Sequence, residues 1–215
     1  INNSKIDLFI SGENIDGIEL PDIKSSKLQE IKINHVSHSK IKVVKENLDV
    51  TQGKLIIGLN TPENDKIATS IYNTILGGGA NSKLFQNVRE KASLAYSAGS
   101  AYIRRQNTIL IQTGIEINNY DKTLEIIKKQ LQEMKNGNIT KEEFDAAKTL
   151  IMSSVNLIPE SEEDMIAYYF DQRLFDENLT VTEYYNKLKE VTMEQVIDVA
   201  KKISVDTIYF LKRED

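Results

Sequence analysis

The chain has 215 residues, 40% of them hydrophobic and 27% charged, and a formal net charge of −5. This composition suits a globular protein in water and disfavours nucleic acid as a partner, because phosphate binding needs a basic surface. No apolar run approaches the roughly 18 residues that a membrane helix needs, so no membrane partner is expected. With no cysteine there is neither a disulfide nor a thiolate metal site, which favours a cytoplasmic origin.

The chain opens at Ile1 without an initiator Met and reads as part of a longer polypeptide. Ile6, Leu8 and Ile10 alternate, with Asp7 and Ser11 nearby, and Gly12 stops the run, which predicts a short strand over Ile6 to Ser11. Residues 13–38 are polar, lack periodicity and contain Pro21. They read as a linker with one helical turn around Lys27 to Glu30. "KIKVVKENLDV" and "GKLIIGLN" read as two extended segments, with Leu55, Ile57 and Leu59 on one face.

After Pro62 the period changes. Ile67, Ile71 and Ile75 recur every four residues and predict a helix. Gly77, Gly78 and Gly79 would end it, since glycine tolerates the positive φ of a C-terminal cap. Ser82 can cap a shorter helix running to about Lys91. "SLAYSAGSAYI" and "TILIQTGIEI" read as paired strands turned by Arg104 to Asn107. The rest is mostly helical. One stripe is Leu124, Ile127, Leu131 and Met134, closed by "NGN". Thr140 with Glu143 is a capping box for the stripe Phe144, Ala147, Ile151 and Val155. Pro159 restarts the chain, and Thr192 with Gln195 opens the helix through Val196, Val199 and Ile203. "TIYFLK" closes as a strand. Strands at the two ends with helices massed between them predict an α+β fold with a mainly antiparallel sheet flanked by helices.

Few residues carry obvious chemistry. His35 and His38, in "NHVSH", resemble half of a zinc site, but no third ligand accompanies them, so they read as surface residues without a metal role. A Ser or Cys hydrolase lacks its motif. The glycine triplet follows a helix, whereas a phosphate loop follows a strand. The acids Glu160 to Asp164 suit a solvated helix start, and Tyr168, Tyr169, Tyr184 and Tyr185 suit half-buried helix positions. On spacing alone Arg89 reads as a surface charge and Tyr96 as strand packing.

The stretch around these two is more specific. "LGGGANSKLFQNVREKASLAYS", Leu76 to Ser97, resembles the signature of the C-terminal, non-zinc half of the M16 zinc metallopeptidases, the pitrilysin/insulinase and mitochondrial-processing-peptidase-like family. The resemblance spans about Gln52 to Leu211. Three positions depart from it. Lys83 stands where Arg is common, Ser93 where Gly is usual, and Ala92 replaces an often basic residue.

The resemblance implies a LuxS/MPP-like metallohydrolase fold. It places the last strand of a preceding domain plus a linker at 1–38 and the M16-like domain at 39–215. In this family two homologous halves face each other across a cavity, and zinc sits on the N-terminal half. No cofactor is therefore expected in this chain, and zinc is expected in an N-terminal half or a separate M16-like subunit. The expected substrate is a peptide or protein. The resemblance assigns Tyr96 the catalytic role of hydrogen-bonding the developing oxyanion. It assigns Arg89, together with Tyr96, to substrate binding. Gly77, Gly78 and Gly79 would let the connection pass close to the cleft. The strand near Ile109 to Ile115 would offer an edge for an extended substrate. The chain alone is expected to be inactive. The alternative is a non-catalytic module of the same fold, used for assembly or peptide binding.

Overall fold

Alternation along the strands decides which face of the sheet is covered. A computed structural model describes residues 6–12, 17–19, 40–174 and 177–214. Among these, strands β1 (Lys42–Leu48), β2 (Gly53–Asn60), β3 (Ala95–Ile103), β4 (Thr108–Ile115) and β5 (Ser204–Arg213) form one sheet in the order β1-β5-β2-β4-β3. β1 and β5 are parallel, and every other neighbouring pair is antiparallel. Leu55, Ile57 and Leu59 of β2, Ile109 and Ile111 of β4, and Ile208 and Phe210 of β5 are buried beneath the helices. Their alternates Lys54, Ile56, Gln112 and Tyr209 stay exposed or half-buried on the opposite face. A period of two with one apolar side produces this one-sided sheet.

The helices are α1 (Lys66–Gly77), α2 (Tyr120–Lys135), α3 (Lys141–Leu157), α4 (Glu162–Leu174), α5 (Val181–Glu190) and α6 (Met193–Lys202). Their predicted stripes point inward. Ile71 and Ile75 of α1, Ile127 and Met134 of α2, and Val196 and Val199 of α6 are at most 2% exposed. The capping boxes Thr140/Glu143 and Thr192/Gln195 both form. A third, Thr180/Glu183, opens α5. Its T-x-x-E signal stands in "TVTE", outside any apolar period.

Several expectations are corrected. Residues 6–11 form no strand. Asp7 accepts a charge-assisted bond from Arg173 Nε at 3.3 Å, and Phe9 meets Phe170 edge-on with centroids 6.0 Å apart. Alternation makes a strand only where a neighbour supplies a ladder, and this segment rests on α4 instead. The strand Ile109 to Ile115 offers no free edge, because β4 lies between β2 and β3. Among the described residues the sheet ends at β1 and β3. Gly77, Gly78 and Gly79 do not act through positive φ, which among the described glycines belongs to Gly17 and Gly137. Gly77 and Gly78 serve close packing, whereas Gly79 does not. A β carbon on Gly78 would stand 2.6 Å from Thr74 Cα. His35, His38 and the predicted turn at Lys27 to Glu30 lie outside the described residues.

Candidate functional site

The segment from Ser82 to Tyr96 is fixed at both ends. At its start the Ser82 hydroxyl accepts from the Phe85 amide at 3.4 Å, as the capping reading requires. Lys83, 8% exposed, reaches Glu143 on α3 at 2.8 Å. Leu84 and Val88 are fully buried and hold the inner face. The helix is not regular. From Phe85 to Lys91 it is wound as a π-helix, whose wider turn is uncommon and concentrates at functional sites. Local sequence periodicity does not reveal such a turn.

Ser93 then adopts φ 52°, in the left-handed region. This is the position where the resembled signature carries glycine. The chain enters β3 through a bulge: Ala95 pairs with Ile115 and Ser97 with Gly114, so Tyr96 is the extra residue. A bulge bends its strand and re-aims the side chain it carries. Tyr96 is 66% exposed, a large fraction for a tyrosine entering a sheet, and does not serve as packing.

Arg89 and Tyr96 line one cavity of about 430 Å³ at the β3 edge, together with Phe85, Gly99, Leu110 and Gln112. Among the described residues, Arg89 is the only charged side chain on its wall. The Arg89 guanidinium sits over the Phe85 ring at 4.6 Å and lies 3.8 Å from Glu90. On their other side the same two residues border a cavity of about 390 Å³ with Ser93, Glu116 and Asn119. The pair therefore forms a wall with donors available to both spaces. A guanidinium and a phenol can together donate to carbonyl or carboxylate oxygens.

The three glycines divide. Gly77 lines the cavity with Arg89 and Tyr96, whereas Gly78 and Gly79 line a separate space of about 740 Å³ between α1 and α3. Sequence reasoning missed Phe85 and Gln112 as neighbours of the pair. Phe85 had a signal, since it stands four residues before Arg89 on one helix. Gln112 had none, because it arrives through strand register.

A second polar cluster was also not foreseen. Arg104, at the β3–β4 turn, donates to Asp171 at 3.1 Å and to Glu177, which Lys66 also contacts at 3.3 Å. Burial works against the Arg104 charge, but the two carboxylates outweigh it and leave its pKa raised. The network ties the hairpin to α4 across 67 residues of sequence and to the segment after α4 across 73. Tyr168 donates to the Leu179 carbonyl at 3.0 Å, and burial pushes its pKa up to about 12.

Among the described residues no three His, Cys, Asp or Glu side chains converge on a point that could hold a metal. Nor is any described helix long and apolar enough to cross a membrane.

Comparison with known proteins places the chain in a family. The sequence model of the family described as "Peptidase M16 inactive domain" matches residues 11–151. "Probable inactive metalloprotease YmfF" of Bacillus subtilis (strain 168) is 32% identical over 224 residues, covering 99% of this chain and 52% of the relative. "Uncharacterized zinc protease YmxG" of the same organism is 29% identical over 136 residues, covering 62% of this chain and 33% of its own length. A conserved protein from Enterococcus faecalis V583 has TM-score 0.81 at 28% identity, over 88% of this chain and 46% of that one. The peptidase M16 inactive domain from Pseudomonas fluorescens, at TM-score 0.75 and 21% identity over 88% of this chain and 48% of that one, shares the fold. The chain spans about half the length of YmfF. With about two-thirds of its residues inside the family match, the chain belongs to the peptidase M16 inactive-domain family.

Proposed function

We propose that this chain is the substrate-clamping half of an M16-type peptidase and works against a homologous half that carries the zinc. The supporting observation is that Arg89 and Tyr96, from a π-helix and a β-bulge, line the same cavity at a sheet edge. Both are exposed, and neither side chain contributes to the buried core. In this reading residues 39–215 form the clamp and 1–38 join it to the preceding domain. The Tyr96 hydroxyl donates to the carbonyl oxygen that gains charge as a peptide bond is attacked. One such donor contributes about 3–4 kcal/mol to the transition state. Arg89 holds neighbouring carbonyl oxygens in the ground state, its guanidinium seated over the Phe85 ring. Because the groups come from a separate half, cleavage depends on closure, which also excludes water.

A second reading has its own support: the name of YmfF includes the word inactive. In that reading the cavity binds peptide without cleaving it, within an assembly.

Reconstitution with a zinc-bearing homologous half, assayed on a quenched-fluorescence peptide library, separates the two. The clamp reading expects Tyr96→Phe to lower kcat by about 10²–10³ with KM little changed. It expects Arg89→Ala to raise KM. Single mutants that cleave within about twofold of the parent, with the fold intact, would defeat it. A parent complex that binds but never cleaves peptide, and loses binding on Arg89→Ala, establishes the second reading.

A further inference from the structure

The wall made by Arg89 and Tyr96 divides two spaces of opposite charge. On the β3 side Arg89 is, among the described residues, the one charged side chain, whereas the space on the other side adds Glu90 and Glu116. Nothing on the β3 side neutralises Arg89. Glu90 stands 3.8 Å from its Nε, too far for a hydrogen bond, and lines the other space. The Phe85 ring, 4.6 Å from the guanidinium, offers it no anionic partner. Strand register adds a second polar group. Gln112 of β4 stands opposite Gly99 of β3, and with no side chain on Gly99 its exposed carboxamide lines the same space as Arg89. Leu110 and Ala101 supply apolar wall beside them.

We infer that the β3-side space selects peptides that carry a carboxylate, and that Gln112 is a specificity-determining residue for them. The inference rests on the clamp reading for peptide as the ligand and goes beyond it in stating which peptide. A carbonyl oxygen needs only a donor. A carboxylate also needs a positive charge that no anion on the same wall cancels, and the guanidinium fork matches its two oxygens. The Gln112 amide can donate to a lone pair that Arg89 leaves open. Leu110 and Ala101 displace part of the water, which strengthens the attraction between the charges. A lysine side chain in the same space meets Arg89 with no carboxylate on the wall to offset it, so the selection has a sign. The carboxylate belongs either to an Asp or Glu side chain or to the peptide's C-terminus, and the chemistry at the wall is the same for both.

The test is peptide binding to the 215-residue chain, which itself supplies every residue of this space. Amide NMR shifts of Tyr96 to Ala101 and of Gln112 are followed on titration with short acetylated, amidated peptides, neutral apart from one central Glu, Gln or Lys. The Gln peptide with a free C-terminal carboxylate is the further arm. The Glu peptide, the free-acid peptide or both should bind about tenfold more tightly than the neutral amide, and the Lys peptide most weakly. Which of the two binds identifies the source of the carboxylate. Added salt should shrink the preference. Gln112→Glu places an anion on the wall and should abolish or reverse the preference, with the far-UV circular dichroism unchanged, whereas Gln112→Lys should widen it. A preference that survives Gln112→Glu overturns the role of Gln112. Binding of all the peptides within about twofold of one another, lost in Arg89→Ala, overturns the inference and leaves the clamp reading standing. No shift with any peptide at millimolar concentration also overturns the inference, and the cleavage assay on the reconstituted protein then decides the clamp reading by itself.

Discussion

Gly77 and Ser100 lie backbone against backbone. A β carbon on Gly77 would stand 2.4 Å from the Ser100 nitrogen and 2.8 Å from the Gly99 carbonyl carbon. The end of α1 is thereby pressed onto β3 four residues beyond Tyr96, and the site's geometry depends on that contact. Backbone cannot move aside as a flexible side chain can. Gly77→Ala should therefore cost about 3 kcal/mol by overpacking. Gly79 has only Leu150 Cδ2 nearby, at 3.7 Å, and φ outside the left-handed region. Gly79→Ala should be neutral or stabilising by up to about 1 kcal/mol, through the unfolded chain. Urea denaturation of both mutants checks the contrast. Equal effects would return the glycines to a shared capping role.

Ser93 holds φ 52° without the freedom of glycine. The left-handed conformation costs a non-glycine residue about 1–2 kcal/mol, and glycine gives back part of that through unfolded-state entropy. Ser93→Gly should raise the melting temperature, with a net gain of up to about 1 kcal/mol. A lower melting temperature would mean that the serine side chain makes a compensating contact.

The Glu143 carboxylate has two tasks. One oxygen accepts from the Thr140 amide at 3.0 Å in the capping box, and the other holds Lys83 at 2.8 Å. Removing it leaves the Lys83 ammonium unpaired with only 9% of its side chain exposed. Glu143→Ala should cost about 3 kcal/mol. Lys83→Met exchanges the charge for an apolar chain of similar length and should cost less than about 1 kcal/mol. In the double mutant the combined loss should fall below the sum. Guanidinium titration of the three proteins reads all of these values.

Tyr72 is fully buried, and its hydroxyl has no protein partner. Tyr72→Phe keeps the ring and removes an unpaired polar group, so stability at neutral pH should rise by about 1 kcal/mol. The alkaline limb should change too. Burial raises the pKa of Tyr72 above its ordinary value of 10.0 and that of Tyr168 to about 12. The folded chain then keeps protons that the unfolded chain releases. Stability is complete below pH 10 and falls as pH rises from there through 12. Melting curves between pH 9 and pH 12 should show a shallower decline in the Tyr72→Phe mutant.

The sequence by itself determined the one-sided sheet, the inward stripes of the helices and their caps. These depend on neighbours a few residues apart, where periods of 2 and 3.6 and a Thr-x-x-Glu box act directly. It also marked Arg89 and Tyr96, through a contiguous run of residue types. Tertiary structure decided what those two became. The π winding, the left-handed Ser93 and the bulge at Tyr96 have no local period, and they stand among contacts distant in sequence: Lys83 with Glu143, Gly77 with Ser100, and Tyr96 skipped by the register of β4. The parallel β1–β5 pair joins residues about 165 apart, a closure that no local pattern specifies. Residues 6–11 show the same limit in reverse. Their alternation is that of a strand, but hydrogen bonds in a ladder come from a neighbour, and the neighbour here is the side of α4.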